Sequence, residues 1–312
     1  ILGAGAVGGY FGGRIAQARN AEQVAFLVRP GRKAQLDRDG LVIESPSAGD
    51  YRGRIATLAP DELRPGWDVV ILACKAYDLD SAIAAIRPAM DGRAAVLPLL
   101  NGMSHLDALA REFGAGQVLG GLAGVQATLT RDGIIRHLAP GAFLRFGELG
   151  GGTSERVRAL EAAFVGAPVR IEVPADIRGA MWEKLVFLGT LAIATVLMRA
   201  NLGEITSTPG GAEWLERLMD RNSAIARAEG HPIADKVVGE FRAFVRGNPV
   251  TTASMLRDLE GGGRIEADHI LGYLLQAARR AGLPDELHEA AWRHAKSYEA
   301  RREARGSPSA PR

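Results

Sequence analysis

Gly3-Ala4-Gly5-Ala6-Val7-Gly8 follows the apolar pair Ile1-Leu2 and runs directly into Gly9-Tyr10-Phe11, the start of a helical pattern. These six residues decide the fold. A G-x-G-x-x-G run between a strand and a helix is the fingerprint of a dinucleotide-binding βαβ unit. Gly3 permits the tight turn, and Gly5 lets the backbone approach a pyrophosphate whose charge sits on the helix N-terminus. Gly8 lets the helix pack close to the sheet. Gly3, Ala4, Gly5, Ala6, Val7 and Gly8 are therefore the expected cofactor cradle, and Ile1-Leu2 the stump of a first strand.

Outward from this point, short apolar runs alternate with helical patterns, as in a parallel sheet built from βαβ units. Residues 23–28 read as a second strand. Residues 68–74 (DVVILAC) read as a third, with the unbroken apolarity of a strand buried on both faces. Residues 94–100 and 117–123 are a fourth and a fifth. Residues 134–137 and 142–147 read as a hairpin turning at Pro140-Gly141. After Gly150-Gly151-Gly152, Thr153 or Ser154 opens a helix, and residues 169–173 form one more strand ended by Pro174. From about Ile177 the strand signal stops. Helical patterns occupy 180–198, 212–229, 234–245, 251–259, 266–281 and 285–302. The expected architecture is α/β: an N-terminal Rossmann-type parallel-sheet domain over 1–174 and an all-α C-terminal domain over 175–305. A Ser/Pro-rich tail at 306–312 is expected to be disordered.

Composition narrows the function classes. A formal charge of +2 over 312 residues offers no global basic surface for nucleic acid or membrane. The uncharged run 185–198 is shorter than the roughly 20 residues of a membrane span and reads as a buried core helix. Cys74 is the one cysteine, so no intrachain disulfide forms. No signal peptide is read before the first strand, although the abrupt start at Ile1 leaves room for earlier residues, and the cytoplasm is the expected compartment. No cluster of His, Cys and carboxylates has metal spacing, so no metal is expected.

The tip of the second strand discriminates between the two nicotinamide cofactors. NAD enzymes place an acid there for the ribose 2′-hydroxyl. Here the chain reads Phe26-Leu27-Val28-Arg29-Pro30-Gly31-Arg32-Lys33, with three cations and no acid. A carboxylate repels a 2′-phosphate, whereas a guanidinium binds it bidentately. The expectation is NADPH/NADP+, with Arg29 as the first choice because it sits at the strand tip. Further polar residues stand where strands end or helices begin. Lys75 follows the third strand and Asn101-Gly102 the fourth, both at the expected carboxyl edge of the sheet. Lys184 stands at the start of the most apolar helix, either as a snorkelling helix-end lysine or as an amine in a dry pocket. Ser254 and Glu266 flank Gly261-Gly262-Gly263. His269, one turn past Glu266, reads as a surface histidine.

In these motifs the chain resembles the ketopantoate reductase (2-dehydropantoate 2-reductase) family. The resemblance runs from Ile1 to about Ala281 and rests on GAGAVG, Cys74-Lys75, Asn101-Gly102 and Trp182-Glu183-Lys184. Thr252-Ala-Ser254-Met255-Leu-Arg-Asp258 and Arg264-Ile-Glu266 complete it. It implies NADPH-dependent reduction of a 2-oxo acid to a 2-hydroxy acid, with ketopantoate to pantoate, in pantothenate and coenzyme A biosynthesis, as the default. By the same resemblance Lys184 is the general acid and Glu266 binds the substrate hydroxyl near the nicotinamide. Ser254 binds the substrate carboxylate, Asn101 touches substrate and cofactor, and Lys75 and Ala127 contact the cofactor.

The chain departs from the family pattern on one helix face. Four and eight residues past the lysine the family often carries asparagines; here those positions are Leu188 and Ala192. A further family asparagine aligns with Leu202, beside Asn201, and the family's Pro-x-Asn near the last helix is replaced by Leu283-Pro-Asp-Glu-Leu287. Two alternatives to the default therefore stand: a reductase of a more apolar 2-oxo acid, or a non-catalytic NADP(H)-binding sensor. The expected partner is a small-molecule 2-oxo acid, and long apolar helices make a homodimer plausible.

Overall fold

The computed structural model describes residues 1–247 and 250–306; the tail at 307–312 lies outside them. The chain divides into two compact units. One comprises Ile1–Leu100 and His105–Arg178, and the other Asn101–Ser104 and the chain from Gly179 onward.

The first unit carries strands β1 (Ala25–Leu27), β2 (Leu41–Glu44), β3 (Tyr51–Gly53), β4 (Ala56–Leu58), β5 (Val69–Leu72), β6 (Ala95–Pro98), β7 (Leu119–Gly124), β8 (Ala127–Leu129), β9 (Ile135–His137), β10 (Phe143–Glu148) and β11 (Arg170–Glu172). Its helices are α1 (Ala6–Ala18), α2 (Pro30–Asp39), α3 (Leu79–Ile86), most of α4 (Ser104–Phe113), and α5 (Glu155–Ala163). Leu2 bridges in parallel to Leu27 on one side and Leu72 on the other. Its amide donates to the Ile71 carbonyl at 2.8 Å, and the Leu27 amide donates to the Ile1 carbonyl at 2.9 Å. The main sheet therefore runs β4-β1-(Ile1-Leu2)-β5-β6, all parallel. It continues through the parallel Val96–Val118 bridge into β7, which pairs antiparallel with β10, and β10 pairs parallel with β11. β1 and β4 lie on one side of Ile1-Leu2, and β5, β6 and β7 on the other. This is the doubly wound order, with its switch point at the C-terminal end of Ile1-Leu2.

Close packing of α1 on that sheet explains its glycines. A Cβ on Gly8 would lie 2.3 Å from the Gly3 carbonyl oxygen and 2.9 Å from Ala73 Cβ, and one on Gly12 would lie 2.6 Å from the Phe26 ring. Helix and sheet approach closer than a side chain allows.

The expected hairpin of 134–137 with 142–147 does not form. β9 pairs antiparallel with β8 and parallel with β2, in a second sheet of order β3-β2-β9-β8, whereas β10 joins the main sheet. The actual hairpin is β8–β9, whose turn is closed by Thr130 N–H to Ile134 C=O and Gly133 N–H to Thr130 C=O. Asp132-Gly133, with Gly133 at φ +78°, is the stronger turn signal because a tight hairpin needs a positive φ. Pro140-Gly141 merely carries the chain between two sheets. β2, β3, β4 and β8 fall outside the strands read from the sequence.

In the second unit no strand occurs among the described residues. Its helices are α6 (Ile177–Met198, which begins in the first unit), α7 (Leu202–Thr206), α8 (Gly211–Ala228), α9 (Asp235–Gly247), α10 (Ser254–Glu260), α11 (Tyr273–Arg280) and α12 (Glu286–Ala304), with a π-helical turn at Asp268–Gly272. α6 is long and apolar enough to cross a membrane by length and composition, but 67% of its most apolar window is buried inside the protein, as in a core helix. Trp182 anchors it, stacked on His231 and tilted against Tyr273. The short helix α7 is made by a capping box: Asn201 Oδ1 accepts from the Glu204 amide, and Glu204 accepts from the Asn201 amide. Behind α6 lies a buried polar chain. His288 Nε2 meets Asn222 Oδ1 at 2.7 Å, Asn222 Nδ2 donates to Thr190 Oγ1 at 2.8 Å, and Thr190 donates to the Val186 carbonyl at 2.7 Å.

Candidate active site

The first unit holds the glycine-loop residues together at its switch point. Gly3 has φ +93°, which an L side chain rarely adopts, and Gly8 has no room for a Cβ. Gly5 is different: its φ is −81°, and a Cβ there would meet nothing within 4 Å. The fold does not require glycine at this position; what its hydrogen preserves is open space over the start of α1. α1 has no side-chain N-cap and no acid in its first turn, so its leading N–H groups and dipole remain available to an anion. This open, donor-lined cradle fits a pyrophosphate.

The three cations after β1 have separate situations. Arg32 is directed inward: Nε and Nη2 donate to the Ala4 carbonyl at 3.2 and 3.0 Å, and Nη1 donates to Gln35 at 2.7 Å and the Gly133 carbonyl at 3.1 Å. Lys33 bonds Asp37 and Thr57. Arg29, the N-cap of α2, keeps its side chain 86% exposed, with Asp78 at 3.8 Å as its ion-pair contact. Arg32 thus props the glycine loop, while Arg29 is presented to solvent at the strand tip. Lys75 is exposed just past β5, and Ala127 is half-buried in β8.

The second unit gathers the other polar residues. Lys184 lies about two turns inside α6, because the helix begins at Ile177 and not near Ala180. It is therefore not a helix-end lysine. Burial pulls its ammonium down to about 8, against the attraction of Glu266. Glu266 is 8% exposed, two residues before the π-helical turn. Asn101, two residues past Leu99 and by sequence a sheet-edge residue, is counted with this helical unit. Ser254 is the exposed first residue of α10, and no side-chain hydrogen bond ties it to the cluster among the described residues. Asn201 is occupied in the α7 capping box, and Leu202 is fully buried.

His269 is not the surface histidine its sequence position suggests. It is half-buried, Ser104 Oγ lies 2.7 Å from its Nδ1, and its ring also hydrogen-bonds the Asn101 main chain. Burial lowers its pKa, against Glu266 and the Asn101 bond, which raise it. The sequence signal that could have found it is its place one turn past Glu266. Ser104, whose partner lies far away in the chain, carried no local signal.

On the Lys184 face of α6, Leu188 is half-buried and Ala192 is 2% exposed. An ammonium beside a buried carboxylate and an apolar flank can deliver a proton to an oxygen that gains negative charge.

Comparison with known proteins places this geometry. The sequence profile described as "Ketopantoate reductase PanE/ApbA" matches residues 1–151, and the corresponding "C terminal" profile matches residues 176–299. The chain is 36% identical over 306 residues to the "Uncharacterized oxidoreductase YkpB" of Bacillus subtilis, covering 96% of this chain and 98% of that one. It is 30% identical over 280 residues to the 2-dehydropantoate 2-reductase of Halobacterium salinarum, covering 89% and 91%. The crystal structure of 2-dehydropantoate 2-reductase from Methylococcus capsulatus superposes with a TM-score of 0.86 at 29% identity, covering 96% of each chain.

Proposed function

Because this chain belongs to the ketopantoate reductase family of NAD(P)-dependent oxidoreductases, which act on CH–OH groups and small keto acids, we propose that it is an NADPH-dependent reductase of a 2-oxo acid, working in the cytoplasm. The observation that carries the reading is Lys184 within electrostatic reach of Glu266, a desolvated ammonium whose proton is loosened to about 8. Bound NADPH supplies the hydride to the ketone carbon. Lys184 stabilises the oxygen on which the charge appears and donates its proton to it. Glu266 keeps that ammonium charged against its burial and accepts a hydrogen bond from a substrate hydroxyl. Asn101 orients substrate and cofactor, and Ser254 receives the substrate carboxylate. In this reading Gly3–Gly8 would hold the pyrophosphate, Lys75 and Ala127 would contact the cofactor, and Arg29 would bind the 2′-phosphate. An absorbance assay at the nicotinamide band, run with NADPH over a panel of 2-oxo acids, tests the reading. NADPH binding without oxidation by any member would assign the chain to a sensor.

The cofactor preference follows from Arg29. An exposed guanidinium gains charge-assisted hydrogen bonds to a phosphate but is screened by water. Replacing Arg29 with Ala is expected to weaken NADPH binding about tenfold and leave NADH nearly unchanged. Fluorescence titration of both cofactors checks this, and equal affinity of the unmodified protein for both would refute it.

Ketopantoate is the default substrate of the family. Leu188 favours a second reading, in which a 2-oxo acid with an apolar tail is the better substrate. One turn past Lys184 the helix offers this half-buried alkyl group where the family pattern has an amide. Such a flank gains about 0.8 kcal/mol per buried methylene and leaves a substrate hydroxyl short of partners. The expected result is kcat/KM about tenfold higher for the analogue of ketopantoate lacking its hydroxyl. The double variant Leu188→Asn, Ala192→Asn should narrow that gap. A clear preference of the unmodified protein for ketopantoate, unimproved by the asparagines, would show that this face does not select.

A further inference from the structure

Asn101–Ser104 is a short excursion. Leu100 before it and His105 after it belong to the sheet unit, yet these four residues belong to the helical one. Three features tie them there, and all converge on His269. Ser104 Oγ is 2.7 Å from Nδ1 of its ring. The ring is bonded to the Asn101 main chain in the sense that favours the protonated form, which is an imidazole N–H donating to a carbonyl. Gly102, at φ +85°, is pressed so close that a Cβ would come within 2.9 Å of both His269 Cδ2 and the His269 carbonyl oxygen.

The other side of the same turn is also held. Asp268 accepts from Trp292 Nε1 at 2.7 Å and from Lys296 at 2.8 Å, on α12. A wide π-helical turn is weak by itself, and such turns recur at functional sites where neighbours sustain them. Here Asp268 fixes it to α12 and His269 fixes it to Asn101–Ser104. Glu266 is the residue that leads into it.

We propose that His269 is a positioning residue: its neutral imidazole donates Nε2–H to the Asn101 carbonyl and accepts the Ser104 hydroxyl proton at Nδ1, so setting the Asn101 side chain relative to Glu266 and Lys184. The proposal rests on the reading that Asn101 and Glu266 serve a 2-oxo acid reductase. It is distinct from a Ser–His nucleophile pair, because the second nitrogen is engaged by a main-chain carbonyl and not by an orienting carboxylate.

His269→Phe keeps a ring of similar size and removes both bonds, while His269→Gln restores a donor near the Nε2 position. Two measurements are made on the full chain: amide hydrogen exchange over residues 101–104, and kcat and KM with NADPH and the best 2-oxo acid. The expected result for His269→Phe is exchange at 101–104 accelerated about tenfold or more. With it, kcat should fall by about tenfold to a hundredfold while NADPH affinity stays within about twofold. His269→Gln should recover most of both. Ser104→Ala, which leaves the ring in place, should accelerate exchange about fivefold, and it serves if His269→Phe does not fold. Unaltered exchange at 101–104 in the folded variants overturns the clasp. Accelerated exchange with unchanged kcat overturns the positioning role. If the unmodified protein reduces no 2-oxo acid, the functional reading falls and the exchange result alone decides the clasp.

Discussion

Lys184→Ala is expected to reduce turnover by about 10²–10⁴-fold while leaving NADPH binding nearly unchanged. The loss should fall on kcat, because the proton is needed when negative charge develops on the carbonyl oxygen, not when the ground state binds. The pH dependence supplies a second signature. Burial brings the ammonium down to about 8, so in the free enzyme Lys184 is protonated below that pH and neutral above it. A general acid must be protonated, so kcat/KM for reduction should be level below about pH 8 and fall roughly tenfold per unit above it. Oxidation of the 2-hydroxy acid needs the neutral amine and should rise through the same region. Both profiles should lose this inflection in Lys184→Ala. Near-normal turnover in that variant would reduce Lys184 to a structural lysine.

Acidification is expected to destabilise the fold between about pH 6.5 and pH 4 through His288. This ring is fully buried, its Nε2 engaged by Asn222, and its Nδ1 faces no acceptor among the described residues. A proton added at Nδ1 would be a buried, unsolvated charge. Desolvation by burial, then the nearby Arg221, hold the pKa down at about 4, against weaker attraction from Asp285 and Glu286. The unfolded histidine titrates near 6.5. Above 6.5 both states are neutral and the stability is intact. Between 6.5 and 4 only the unfolded chain takes up the proton, so stability falls as pH falls, by an order of 3 kcal/mol at most. Below 4 this contribution levels off. His137, His269 and His294 are also lowered by burial and act in the same direction. The discriminating measurement is urea unfolding from pH 7 to 4 with His288→Gln in parallel. The variant keeps a donor for Asn222 without a titrating group and should show a shallower loss. Identical slopes would remove His288 from this account.

The doubly wound sheet was legible from the glycine loop and the apolar runs because both are local patterns. Ile1-Leu2 could be only a central strand if Gly3–Gly8 followed it, and 68–74 is too continuously apolar for anything but a two-faced burial. The helices of the second unit were legible for the same reason, from their period and from punctuation by Gly, Pro and Asn. Failures came where pairing is long-range. Residues 134–137 and 142–147 each look like strands, but which sheet each joins depends on β2 and β7, tens of residues away. The Asp132-Gly133 turn was the better local clue.

The residue types of the site were determined by the sequence: an amine in an apolar helix, a carboxylate past a glycine break, an amide after a strand, and an arginine where an acid would exclude a 2′-phosphate. Which of them lie together was decided only by tertiary structure. Arg29 and Arg32 are chemically equal in the sequence, yet one props the Ala4 carbonyl and the other remains exposed. Asn201 became a helix cap, and Asn101 was drawn into the helical unit by a histidine 168 positions along the chain (269 − 101). The proton affinities of Lys184 and His288 likewise come from burial. The physical reason is common to all of these. Periodicity, turn chemistry and charge type are properties of neighbouring residues, whereas desolvation and hydrogen-bond partnership belong to groups that only folding brings together.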